Sequence, residues 1–470
     1  MKKNIWIIVI ALFLGGFLYA QDSGLGFNMD LGLGVSSFTD PTTGELTTWQ
    51  NLRLQPDLSL GKFGIGLDLT INYRFSDASG NSGFSIREED WVPSTTLGTS
   101  FLDLYLPIFR YIRYGTKGEP LFVKLGSIDD ATVGNGFIIG NYSNSLFMPQ
   151  RRIVGLSLDF DAMLFDFPYL GIETFVSNLA AFNLIGARLY TRPLAWTGVP
   201  IIETAQFGVT VAADLNPFYY EEQDFKELRV SEPTATNAYS SFWGDTTNDS
   251  DASNNNGTES VVIGGIDIRV PILNTDIISL ATFTDLVLQR SNPGWMIGAG
   301  GRLLKVMNFG AQIRVLGENF IPVYFDQSYD LYRSKKWEVY NGFASTPSYA
   351  GWFATLGMFL ADGLFTFDAS IEGSFSNPDN NPQLDPVLRG KLFVSPDLLA
   401  GFSIMGSYEK RAIDSWSDFI SAEDSVIGAG IGYKTGPAQI NLIYDIRYNP
   451  NSGTGQNWES TSRIETTISF

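Results

Sequence analysis

The feature that most restricts this chain is a two-residue hydrophobic period that returns along nearly its whole length. Leu25, Phe27, Met29, Leu31, Leu33 and Val35 are apolar at every second position, with Gly26, Asn28, Asp30, Gly32 and Gly34 between them. GKFGIGLDLTINYRF repeats the pattern: Phe63, Ile65, Leu67, Leu69, Ile71, Tyr73 and Phe75 face one way, and Gly64, Gly66, Asp68, Thr70, Asn72 and Arg74 the other. The stretches 365–372, 438–448 and 463–470 do the same, with Thr466 the exception on its apolar face. Successive side chains of a strand point to opposite faces, so each run reads as a strand with one apolar and one polar or small face.

Run length separates two kinds of all-β fold. These runs reach about 11 to 13 residues, against ~5–6 for strands of soluble sandwiches and ~9–11 for strands that cross a membrane. Eleven residues tilted by about 45° rise about 25 Å, the height of an outer-membrane apolar band. Aromatic residues crowd the run ends, among them Tyr73, Phe75, Trp295, Trp352, Phe353, Tyr444 and Tyr448, as girdles at two interfaces would. Links alternate between short (61–62, 115–120, 273–276, 361–363, 395–398, 434–437) and long (76–100, 126–152, 214–260, 316–350, 410–424). That rhythm, over about 20 strands (18–22), predicts an all-β chain folded as a single closed antiparallel up-and-down transmembrane β-barrel. Hydrocarbon demands an internal partner for every backbone polar group, and in a sheet only closure supplies it. The first strand, near 25–35, is therefore expected to pair antiparallel with the last, near 463–470.

Composition narrows the function. The 470 residues include 50 acids, 31 bases, no Cys and no His, for a net charge of −19. Such a surface repels phosphate backbones, so no nucleic-acid partner is expected. Without Cys or His there is no disulfide framework, thiolate metal site, His-dependent triad or HExxH motif. No enzymatic activity and no cofactor are expected. MKKNIWIIVIALFLGGFLYAQ has two lysines, a short apolar stretch and Ala20 before Gln21. This is the plan of a secretory signal peptide over 1–20, leaving 21–470 as the barrel with long outer loops near 76–100, 126–152, 214–260 and 316–350.

The terminal run ETTISF, closed by Phe470 with Ile468 two positions before it, resembles the last strand of bacterial outer-membrane β-barrel proteins of the porin-like kind. RYIRYGTKGEPLFVKLGS and GFIIGNYSNS look similar to spirochaete-type outer-membrane proteins. The resemblance implies a cell outer membrane location, outer-membrane lipid as surroundings, and Ile468 and Phe470 as a signal read by the barrel assembly machinery.

A barrel of about twenty strands leaves a wet lumen. Its wall charges are read as mixed in sign and nearly cancelling over the whole lumen, among them Asp68, Arg74, Arg269, Arg302, Arg314, Asp368, Glu372 and Arg447, and suited to passive diffusion of small polar solutes. The third long loop, 126–152, is apolar in its middle, with Asp129 and Asp130 at one end and Arg151 and Arg152 at the other. Folded inward, as the third loop of general porins typically is, it would form a constriction with a transverse field. The alternatives are a hydrophobic-substrate channel resembling the long-chain fatty-acid transporter, and a surface adhesin or scaffold barrel without an open pore. Oligomerisation is left open.

Overall fold

The computed structural model describes residues 25–39, 46–76, 82–93, 101–145, 153–219, 260–421, 425–448 and 458–469. The segment 1–20, Arg151, Arg152, Phe470 and all but the two ends of the loop 214–260 lie outside the described residues.

Twenty-two strand segments form one sheet, and every strand pairing in it is antiparallel. β1 (Leu25–Thr39) and β2 (Leu46–Leu60) are in register from Leu25–Leu60 to Thr39–Leu46. The next strand is interrupted at Asp68 into β3 (Phe63–Leu67) and β4 (Leu69–Ser76), both paired with β2. β5 (Ser82–Ile86) then pairs with β4, and β6 (Phe109–Tyr114) with β3. The insertion between β5 and β6 carries a short helix, α1 (Phe101–Tyr105).

From there each strand pairs with the next: β7 (Leu121–Gly126), β8 (Gly155–Asp161), β9 (Leu170–Val176), β10 (Leu184–Thr191), β11 (Gln206–Asp214) and β12 (Val261–Asn274). The series continues with β13 (Ile278–Gln289), β14 (Asn292–Leu303), β15 (Met307–Leu316), β16 (Tyr349–Leu360) and β17 (Phe365–Ser374). It ends with β18 (Val387–Val394), β19 (Phe402–Lys410), β20 (Ser425–Thr435), β21 (Ala438–Tyr448) and β22 (Trp458–Ser469). β22 also pairs with β1, from Asp30–Ser469 to Leu33–Thr466. The pairings thus return to the first strand, and the two faces of the sheet, called inner and outer below, differ in character. Among the described residues no helix is long and apolar enough to cross a membrane.

The outer face is greasy and bare. Leu189, Val209, Ile266, Leu286, Trp295 and Val315 stand directly opposite one another across six consecutive strands, β10 to β15. Each is between 38% and 57% exposed. Leu33, Phe63, Phe402, Ile404, Ile431, Tyr433, Ile440 and Tyr444 extend this exposed apolar surface over strands at the other side of the circuit.

The buried core lies on the inner face instead. It is formed by two segments inserted between strands, 127–145 after β7 and 317–348 after β15, together with inward residues of the strands beneath them. The second segment contains the longest helix described, α2 (Tyr329–Asn341), closed by Gly342 in the left-handed region at φ 80°. The segment 316–350, expected among the long outer loops, carries this helix, and its buried aromatic residues Tyr324, Phe325, Tyr329 and Trp337 lie against the apolar part of the inner face.

Candidate functional site: the inner face and its inserted segments

Inward side chains change character along the strands. Near the long-link end they are apolar: Phe175, Leu184, Val261, Ile263, Val287, Met296 and Leu316 are all buried. Two or four residues further along the same faces stand Glu173, Arg188, Asp267, Asp285 and Arg314. Each strand therefore offers an apolar landing and, deeper, a charged band.

The two inserted segments seal onto the apolar landing and onto each other. Val323 N–H donates to Phe137 O at 3.0 Å, Phe325 N–H to Ile138 O at 3.0 Å, and Gly140 N–H to Phe325 O at 3.1 Å. Ile139 and Phe325 form a parallel bridge. Phe137 packs on Phe320 with ring centroids 5.5 Å apart. The fit against the wall is close: a Cβ on Gly186 would lie 2.3 Å from Ile139 Cδ1, so the wall must be bare at that point. Gln289 clasps the second segment reciprocally, donating to Ile321 O at 2.6 Å and accepting from Ile321 N–H at 2.9 Å.

Charged groups fasten this body to the wall. Arg188 donates to Asp267 from Nε at 2.9 Å and Nη2 at 2.6 Å, and to Glu173 from Nη1 at 2.7 Å. The other oxygen of Glu173 accepts the Gly134 N–H at 2.7 Å. Asp285, directly opposite Asp267 across the strands, accepts from Asn135 Nδ2 at 2.6 Å. In the second segment Tyr329 and Arg333 both donate to Asp214 Oδ2, at 2.6 Å and at 2.9 and 2.7 Å. Tyr142 of the first segment donates to Asp330 of the second at 2.8 Å. Burial, reinforced by the Asp214 charge, holds the Tyr329 hydroxyl well above the ordinary tyrosine pKa. Burial likewise pushes the Lys336 ammonium down, opposed by Asp326 at 3.0 Å.

The candidate wall residues divide. Arg314 crosses the Phe353 ring, 4.3 Å from its centroid, to reach Glu372 at 2.7 Å, and Arg389 binds the other Glu372 oxygen at 2.7 Å. Asp68 accepts from Arg53 and Gln55. Arg74 lies over the Trp49 ring at 4.4 Å. Arg269, Arg302 and Asp368 are exposed on the inner face toward the short-link end. For Arg447 and Ile468 the backbone register alone is described, opposite Val426 and Leu31. Of the candidate constriction residues, Asp129 is exposed, 3.7 Å from Lys124 and accepting from Ser145 Oγ at 3.0 Å, and Asp130 lines a cavity beside β6 and β7.

On β1 and β20 the inner side carries many small side chains beside Asp30 and Lys434. Gly26, Asn28, Gly32 and Gly34 of β1 share its inner side, as do Gly428, Gly430 and Gly432 of β20. Asn51 lies over Gly34, and Ser403, Gln439 and Asn441 over Gly432, while Arg53 faces Gly32 and Met405 faces Gly430.

Sequence reasoning missed the apolar landing. Its trace is a break in alternation, as in VVIGGIDI, where Ile263 shares a face with Asp267. It also missed Arg188, Asp214 and Arg333 as fasteners, because their partners come from distant strands.

No protein-family model matches the chain, and no curated protein matches it. Solved structures do. OccK2 (OpdF) of Pseudomonas aeruginosa aligns at 10% identity over 95% of this chain and 97% of that one, with a TM-score of 0.30. Wzi of Escherichia coli, an outer-membrane protein involved in group 1 capsule assembly and a carbohydrate-binding β-barrel, aligns at 11% identity over 98% and 87%, with a TM-score of 0.32. The FrpB iron transporter of Neisseria meningitidis aligns at 10% over 97% and 83%, with a TM-score of 0.33. TM-scores this low carry no argument about function here.

Proposed function

We propose that this chain is a closed transmembrane β-barrel of the bacterial outer membrane that lets small polar solutes diffuse passively, in the manner of a porin. The two interrupted strands each count once, so the 22 segments make a circuit of about 20 staves. The observation that carries the reading is the contrast of faces on the same strands. Leu189 and Ile266 are more than half exposed on the outside, while Arg188 and Asp267, on the same strands β10 and β12, are paired on the inside. In water the outer face would cost about 25 cal/mol per Å² of exposed apolar area; in lipid it costs nothing, and the paired backbone is satisfied.

The segment 126–152 supplies one side of the constriction, with 317–348 as its companion. The hydrophobic-channel alternative is weakened by the same geometry, because Phe137, Ile139, Tyr324 and Phe325 bury one another and leave their apolar surface unavailable to a lipid chain. Catalysis is not part of the proposal; Ile468 and Phe470 remain the proposed assembly signal. Refolded chain in a planar bilayer tests the reading. Salt-dependent conductance steps are expected. A silent bilayer overturns passive diffusion, and in that case binding of host ligands by the long loops identifies the adhesin.

A further inference from the structure

The inward charges expected from the sequence nearly cancel over the wall as a whole, but one part of the inner face is uneven. A cavity of about 480 Å³ lies between the inner face of β2, β6, β7 and β8 and the start of the first inserted segment. Its lining holds four bases, Arg110, Arg113, Lys117 and Lys124, and two acids, Asp57 and Asp130. This excess of positive charge sits in a chain whose net charge is −19.

The arrangement of the bases is specific. Arg113 and Lys124 stand directly opposite each other on paired strands, where like charges destabilise a sheet unless something neutralises them. Arg110 is already matched to Asp57 at 2.5 Å. Lys117 donates to Thr132 O at 2.6 Å and interacts with Asp159, one turn of the pleat beyond Ser157. Lys124 has Asp129 only at 3.7 Å. Arg113 has no ion-pair partner among the described residues and faces the Tyr111 ring at 5.8 Å. Gly66 makes the room: a Cβ there would lie 2.6 Å from the Tyr111 ring. Phe122, Ile128 and Ala131 add an apolar flank. The volume falls within the ~300–1,000 Å³ typical of small-molecule sites.

Resting on the channel reading above, we propose that this cavity is a binding site for a small organic anion, a carboxylate on a polar carbon skeleton, held between Arg113 and Lys124 as it passes. The carboxylate takes the place of the missing counter-charge, and hydroxyls of the solute meet Asp57, Asp130 and the Tyr111 hydroxyl.

The test is reversal potential in a planar bilayer under a steep sodium gluconate gradient, with potassium chloride conductance recorded on the same channels. Wild-type chain is expected to pass gluconate in preference to sodium. Arg113→Gln/Lys124→Gln is expected to lower the gluconate-to-sodium permeability ratio about tenfold, and an unchanged urea unfolding midpoint of the refolded variant in detergent reports that it is folded. Chloride conductance with no gluconate preference, or a ratio unchanged in the double variant, overturns the anion site and leaves the channel standing. If no current flows at all, the channel reading fails, and calorimetric titration of the detergent-solubilised chain with gluconate decides the site alone: saturable binding lost in the double variant upholds it, and no heat rejects it.

Discussion

Arg188 on β10 grips Asp267 on β12 by laying its guanidinium across Gly208 of the strand between them. A Cβ at Gly208 would lie 2.2 Å from the Asp267 carboxylate and 2.6 Å from Arg188 Nε. Both charged groups are buried, Arg188 at 1% exposure. The pair is thus built into the wall and simultaneously holds Glu173, which holds the inserted segment. Removing one partner of such a buried pair strands the other charge. Arg188→Ala is expected to cost about 3–5 kcal/mol, read from urea unfolding of the refolded chain in detergent. A loss below about 1 kcal/mol would mean that water already reaches Asp267.

The first inserted segment begins and ends at neighbouring points, since Gly126 and Gly155 are register partners. A short glycine-serine linker can therefore replace 129–144 without moving β7 or β8. Single-channel conductance is expected to rise severalfold. Unchanged conductance would show that the segment does not restrict the path.

Leu286 sits in the middle of the exposed outer ladder, between Ile266 and Trp295. Leu286→Arg places a charge against the proposed hydrocarbon and is expected to cost about 2–4 kcal/mol, measured by folding into lipid vesicles. Equal folding of variant and wild type would contradict a membrane-facing outer surface.

Tyr324 and Tyr329 are fully buried, and burial raises both hydroxyl pKa values well above the ordinary one. The unfolded segment releases these protons near pH ~10, while the folded one keeps them. Folding is thus fully supported below that pH and loses support as pH rises beyond it. Alkaline titration followed by tyrosinate absorbance is expected to show a late, cooperative group of ionisations that includes Tyr324 and Tyr329, smaller by one in Tyr329→Phe. Ionisation of all tyrosines in a single ordinary step would disprove burial of the pair.

Much of this architecture was legible in the chain. The alternation in 25–35 and 63–75 set both faces, and the link rhythm placed the strand ends. The meeting of β1 with β22 followed from the need to satisfy backbone groups. The interior was not legible, for a physical reason. Period two distinguishes faces only while they differ, and at Ile263, Val287 and Met296 both faces are apolar. The link rhythm marks 316–350 as a long outer loop but does not show where its aromatics, or Asp330, Arg333 and Lys336 among them, come to rest. Those charges are buried and fastened to Asp214 and Asp326, contacts that no local pattern encodes. The break at Asp68 is equally hidden, since the flanking residues keep their alternation, and β5 lies within 76–100, where the link rhythm shows only a loop.

The inserted body has one more consequence. It hangs from β7 and β15 and packs on the inner side of the strands between them. In the proposed barrel it would narrow the lumen from one side, so a tilt of that body by an ångström or two would change the aperture along its whole length.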